Sequence, residues 1–233
     1  MKILYISGDS GVEVGGRKGA STHIRETCNA LIRYGHEVRI ITPCPGDLTH
    51  VMAEVIHVPA VRAKWLGSDM RYIVLNRRIA ATIKQQIETW KPDAIYERYS
   101  LYQTAGAQLA HKYKLPRILE VNTLLAREQA RRLHFPWLAE MVENALWRRE
   151  KAVICVSTTL KRLMIETAGM KESAMVGFEI SPVAVDVDQF NPDVDPAPEL
   201  TSFKGDRPLA GYVGTLTAWH GVDLFFDVAR ILK

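Results

Sequence analysis

Short apolar runs rich in β-branched residues alternate along this chain with longer runs of helical period, and few folds accommodate that alternation. Strands are expected at KILYI, EVRIIT, EVIHVP, DAIYE, RILEV, AVICVS and SAMVGF. Helices are expected over about 21–34, 70–90, 101–113, 126–134, 138–150 and 158–168. Such repetition is the pattern of βαβ units. The expected class is α/β, a doubly wound parallel sheet running from residue 1 to about 185.

The stretch GGRKGASTHIRE, Gly15 to Glu26, joins the first strand to the first helix. Glycine lets backbone or ligand approach closely and tolerates positive φ. Ile24, Cys28, Leu31 and Ile32 recur at helical spacing, Ser21 is a candidate N-cap, and Gly35 suits the helix end. Strand, glycine loop and helix N-terminus together would cradle an anion, with Arg17 and Lys18 as counter-charges. The competing reading is a surface loop.

Composition narrows the classes. The chain has 233 residues, 47% hydrophobic and 24% charged, as soluble globular proteins do. Cys28, Cys44 and Cys155 form no CxxC pair, which argues against a disulfide framework or a thiolate metal site. A reducing cytoplasm is the expected compartment. No apolar run approaches the roughly 20 residues of a membrane span. Seven Lys and Arg lie between residues 61 and 91 against Asp69 and Glu88. Without aromatic platforms, zinc spacing or a basic tail, nucleic acid is not the expected partner. Phosphate-bearing ligands or an anionic membrane face suit such local charge.

Four prolines between 192 and 208, with repeated aspartates, describe a linker over 186–207. A second strand, glycine loop and helix then occupy 208–233, with Gly214 at the strand end and Gly221 at the helix entrance. Neither loop matches GxGxxG or GxxxxGK[ST]. A lone unit of this kind cannot bury both faces of a sheet, so a truncated second domain is expected.

The segments GGRKGASTHIRETCNALIRYGHEVRIITP, DAIYERYSLY, ILEVNTLLAREQARR, AVICVSTTLKRLM, VAVDVDQFNP and YVGTLTAWHGVDLFFDVARIL together carry a resemblance. The chain resembles the N-terminal part of a retaining GT-B glycosyltransferase of family 4, the "glycosyl transferases group 1". The resemblance implies two Rossmann-like domains, an acceptor-side domain over 1–185 and the start of a nucleotide-sugar-binding domain over 208–233. It implies a nucleotide-diphosphate sugar as donor substrate, no cofactor, and a sugar or lipid-linked acceptor. Gly15 and Gly16 would form the first loop near the diphosphate, with Lys18 beside them, and Gly214 and Thr215 would begin the second. His220 stands where many relatives have a lysine. The paired glutamates of the donor site would lie beyond Lys233, so the fragment is expected to need a missing C-terminal half and to be inactive alone. A histidine common after the middle strand is replaced here by the Glu120–Asn122 region.

Polar residues at strand ends are the remaining site candidates, because open α/β sheets bind ligands at that rim. Glu97 and Arg98 follow DAIY, Glu120 and Asn122 accompany RILEV, and His23 lies in the first helical turn. Each would meet a sugar hydroxyl or a diphosphate; Glu97–Arg98 would otherwise be an internal brace. Ser157 reads as a helix N-cap. No catalytic residue is named and no metal is expected: Asp186 and Asp188 lie in the run-up to the linker, away from the phosphate loops. The segment ARRLHFPWLAEMVENALWRR mixes cations with Phe135, Trp137, Leu138, Leu146 and Trp147. It suggests peripheral contact with the inner membrane face, or else the core side of a helix pair. The rival functions are a non-catalytic sugar-, lipid- or protein-binding module and a GT-B nucleotide-sugar epimerase.

Overall fold

A computed structural model describes residues 1–171, 177–183, 191–193, 195–204, 209–214, 216 and 221–231. The chain divides into two compact units, Met1–Asp186 and Val187–Lys233.

In the first unit seven strands form: β1 (Lys2–Ser7), β2 (Glu37–Thr42), β3 (Glu54–His57), β4 (Ala94–Arg98), β5 (Arg117–Val121), β6 (Val153–Cys155) and β7 (Phe178–Ile180). The first six lie where expected. Of SAMVGF, the expected seventh, 173–176 lie outside the described residues, and β7 begins at its last residue, Phe178. They make one parallel sheet in the order β3-β2-β1-β4-β5-β6-β7. The order reverses between β1 and β4, and the crevice outside the carboxyl ends of those strands is where such folds take ligands.

Side chains alternate between the two faces of a strand. One face carries Ile3, Tyr5, Val38 and Ile40, packed under Ile24 and Cys28 of α1 (Gly19–Arg33). The other carries Leu4, Ile6, Ile41 and Ile95 under Leu75, Ile79, Ile83 and Ile87 of α2 (Gly67–Thr89), with α3 (Ala105–Tyr113) beside it. On that same face Leu119, Val121, Val153 and Cys155 meet Trp147 of α5 (Pro136–Trp147) and Leu160 and Met164 of α6 (Thr158–Ala168). The fold is therefore a Rossmann-like α/β sheet wound on both faces.

Local chemistry sets the helix ends. Ser157 Oγ accepts the Leu160 N–H at 3.1 Å and caps α6. Gly35, at φ 84°, follows the last turn of α1. Ser21 is not the α1 cap: the helix begins at Gly19, and Ser21 lies inside the first turn, buried, its hydroxyl without a hydrogen-bond partner. The expected helix from 101 starts only at Ala105, because Tyr102 takes the left-handed conformation at φ 57°. The expected 126–134 helix shrinks to α4 (Leu125–Glu128) and a 3₁₀ turn at Ala130–Arg132, and α5 starts at Pro136, which suits a first helical position.

Glu143 of α5 is fully buried beneath the start of α4, where its Oε1 accepts the Ala126 N–H at 3.4 Å. Burial pushes its carboxyl from 4.5 up to about 7, against opposing pulls from the Ala126 backbone, the Tyr99 hydroxyl and the Leu125 backbone. The native state then holds the proton more tightly than the unfolded chain, so stability falls as pH rises from 4.5 through about 7. Glu143→Gln should gain about 2 kcal/mol over the parent above that window and nothing near its acid end. Denaturant melts at the two pH values check it; equal gains at both would place the effect elsewhere.

In the second unit, α7 (Pro198–Lys204) forms inside the stretch expected to be a linker and buries none of its residues. α8 (Leu224–Ile231) follows Gly221, and Tyr212 meets Phe225 edge-on at 6.3 Å. The strand expected at 209–213 is absent among the described residues. No neighbouring strand is described there, and a single strand leaves its ladder groups unpaired.

Candidate functional site at the carboxyl rim

Because every strand runs the same way, the loop after β1 and the ends of β4, β5 and β6 share one rim. The first glycine loop and the polar strand ends thus lie at the same edge of the sheet.

β4 and β5 pair with Arg98 opposite Glu120 and Tyr96 opposite Ile118. Tyr96, Arg98 and Glu120 consequently project to the α1 face, where His23 of α1 meets them. Glu120 is the hub. Its Oε1 accepts from His23 Nε2 at 3.0 Å, from Arg98 NH1 at 2.9 Å and from the Asn122 amide, and its Oε2 accepts from Tyr96 OH at 2.9 Å. Burial alone would raise its pKa, but the hydrogen bond and charge of His23, then Asn122 and Arg98, outweigh it and hold the carboxyl near 2. Glu120 stays ionised and its exposure is only 1%. It therefore orients the other groups from beneath, while His23 and Arg98 keep 17% and 14% of their side-chain surface open.

Glu97 is placed on the opposite face. Adjacent strand residues point apart, so the internal Glu97–Arg98 pair does not form. Instead Arg117 Nε bonds Glu97 Oε2 at 2.7 Å and Arg117 NH1 bonds Glu150. Glu97 has no exposed surface. A Cβ on Gly106 would lie 1.9 Å from its carboxylate, so α3 must present a glycine there.

The glycine loop also departs from expectation in its reasons. Neither Gly15 nor Gly16 has positive φ. Gly15 donates its N–H to Pro45 O at 2.9 Å, and a Cβ there would sit 1.7 Å from Asp47 O. What approaches Gly15 closely is the chain after β2. A Cβ on Gly16 would meet Ser21 Oγ at 2.7 Å. Valine at Gly16 would thus disturb the loop's own packing, so it cannot separate ligand binding from folding. Lys18 Nζ reaches Gly11 O at 3.4 Å across the loop, and Arg25 NH1 reaches Gly16 O at 3.4 Å. The α1 N-terminus has no side-chain cap.

Several rim groups went unnoticed at the level of sequence. Ser7, Ser21 and Gln103 each bury a polar atom without a hydrogen-bond partner. Gly8 lets the β1 exit close on Ser100 and Gln103, since a Cβ would be 2.7 Å from Gln103 Oε1. Tyr96 buttresses Glu120, a role its alternation with Glu97 could have revealed. Beside the rim, Ser10, Val61, Ser68, Arg71 and Tyr72 line a shallow open pocket. Gly214 lies in the second unit, where a Cβ would crowd the Tyr212 hydroxyl. Thr215 and His220 lie outside the described residues.

Several solved structures share this architecture. A glycosyltransferase from Rickettsia africae ESF-5 aligns at 18% identity and TM-score 0.65, covering 100% of this chain and 57% of that one. A sucrose-phosphate synthase from Thermosynechococcus elongatus aligns at 17% identity and TM-score 0.60, over 87% of this chain and 52% of that one. WaaG, a glycosyltransferase involved in lipopolysaccharide biosynthesis, aligns at 12% identity and TM-score 0.54, over 82% and 48%. The chain spans about half the length of these proteins. No curated protein sequence matches it. At such identities the likeness establishes the GT-B-type fold, while the sequence itself supplies the lineage: the profile of Glycosyltransferase Family 4 matches residues 17–176, and the chain belongs to that family.

Proposed function

We propose that this chain is the acceptor-side part of a glycosyltransferase that moves a sugar from a nucleotide-diphosphate donor to an acceptor hydroxyl with retention. The observation that carries the reading is the Glu120-centred assembly of His23, Arg98 and Asn122 on a family-4 chain. These three, with the Tyr96 hydroxyl, make four donors on one ionised carboxylate at the rim beside the strand-order reversal, which fixes their directions before a ligand arrives. Preorganised polar groups of this kind align an acceptor and stabilise charge as it develops. The backbone of the α1 entrance, with Arg17 and Lys18, would face the departing diphosphate. Residues 1–185 are assigned to the acceptor side, 186–207 to the connection and 208–233 to the beginning of the donor side.

The test uses radiolabelled nucleotide-sugars. The 233-residue chain should bind donors weakly and transfer nothing measurable, whereas joining it to a family-4 donor domain should restore transfer. In that active form, His23→Ala should lower kcat/KM by about 100-fold when assayed well below its melting range, and should also lower Tm because buried Glu120 loses its leading partner. The anomeric configuration of the product, read by NMR, decides retention. Sustained turnover by the purified chain alone would refute the half-enzyme reading. The rival reading is a non-catalytic sugar-, lipid- or protein-binding module. That rival gains if acceptor binding survives and no donor domain restores transfer.

A further inference from the structure

Five large apolar side chains stand out of the first unit at the start of α2 and the start of α5. Trp65, Met70 and Phe135 line one open depression, together with Leu66 and His134. Trp137 and Met141 continue from it along α5 at helical i, i+4 spacing. Trp65 is 85% exposed, Trp137 65%, Met141 55%, Phe135 50% and Met70 45%. Contiguous exposure of this kind marks an interaction surface.

The fold of α5 does not need these side chains. Ala139, Leu146 and Trp147 already fill its buried side, with Leu138 and Val142 packed against the same core. The face expected from sequence to meet a membrane is thus partly core, and Trp65 and Met70 from a distant part of the chain complete the exposed one.

Hydrogen bonds tie the two segments together. Buried Asp69, in the first turn of α2, accepts from Tyr102 OH at 2.5 Å and from the His134 N–H at 2.7 Å. Ser68 Oγ donates to Arg132 O at 2.7 Å. These bonds join the start of α2 to the 132–134 segment and so hold the Trp65 and Phe135 stretches side by side.

Charge identifies the occupant. Arg62, Arg127, Arg131 and Arg132 are all exposed around these segments. Of the acids there, Asp69 is consumed internally, Glu140 faces Arg127 at 3.7 Å, and Glu128 is exposed. Indole and phenyl tips bordered by exposed arginines in excess over acids match the headgroup layer of an anionic bilayer. No helix among the described residues is long and apolar enough to cross a membrane, so the contact is with its surface. We propose that Trp65, Met70, Phe135, Trp137 and Met141, with Arg131 and Arg132, dock this chain on an anionic lipid surface. The proposal is independent of the transfer reading above.

Co-sedimentation of the 233-residue chain with vesicles tests it. Phosphatidylcholine vesicles containing phosphatidylglycerol should retain the chain at least about tenfold better than phosphatidylcholine alone, and added salt should release it. Trp65→Ser/Trp137→Ser and Arg131→Gln/Arg132→Gln should each lose about tenfold in partitioning with unchanged Tm. Arg77→Gln, on the outer side of α2, should bind as the parent does. Equal binding to neutral and anionic vesicles, or parental binding by both patch variants, would overturn the proposal. So would light scattering that shows the parent dimeric and the tryptophan variant monomeric with vesicle binding intact, since a second copy would then be the occupant.

Discussion

Glu120→Gln is expected to cost about 3 kcal/mol of stability at neutral pH, a large loss for a change that preserves shape. The carboxylate is 1% exposed and accepts from His23, Arg98, Asn122 and Tyr96. An amide in its place turns one acceptor oxygen into a donor, so at least one of these groups faces another donor in a buried setting. The parent's own pH dependence follows from the same site. With the carboxyl lowered from 4.5 to about 2 in the folded state, its contribution is complete above 4.5 and is lost as pH falls toward 2. The variant cannot titrate there. The gap between parent and variant should therefore shrink by most of its size as denaturation is repeated at increasingly acid pH. A gap that stays constant would show that Glu120 has the same pKa folded and unfolded, so its neighbours would not be what holds its charge.

The sheet was readable in the sequence because each strand carries its own apolar run and each crossover its own helical period. The rim was readable too: in a parallel sheet every strand end falls on one edge, so polar residues after DAIY and RILEV had to gather there. What brought His23 to Glu120 was not readable. The two are far apart in sequence, and only the packing of α1 over β1 and β4 sets their distance. Glu97 is a different case, since period-two alternation already separates it from Arg98. Its partner, Arg117, lies opposite Ile95, not Glu97, in the β4–β5 register, and its Nε reaches Glu97 from there. Gly15 looked like a ligand-binding glycine because close approach leaves the same residue whatever approaches. Here Asp47 comes close, a contact set by where the β2–β3 connection crosses the loop. Local signals at Ser157 and Gly35 fared better because a cap is decided by neighbours in sequence. Ser21 shows the limit of such signals: two residues earlier, Gly19 had already entered the helix.

Arg117→Met should be among the most destabilising single changes in the first unit, costing about 4 kcal/mol. The guanidinium is 5% exposed and lies between Glu97, with no exposure, and Glu150, with 9%. Burial raises the Glu97 carboxyl and Arg117 pulls it back, so removing the arginine leaves Glu97 to take up a proton or carry an uncompensated charge. Gly106 prevents escape on the α3 side, where even a methyl group would collide with the carboxylate. The companion variant Glu97→Leu/Arg117→Met should recover part of the loss, because it removes the fully buried Glu97 charge and leaves only Glu150, which keeps some exposed surface, without its arginine. Denaturant melts of the two variants at neutral pH decide the matter. If Arg117→Met melts like the parent, Glu97 is relieved in some other way and its assignment as a structural brace fails. If the double variant stays as unstable as the single one, the cost arises from lost packing around β5, not from charge.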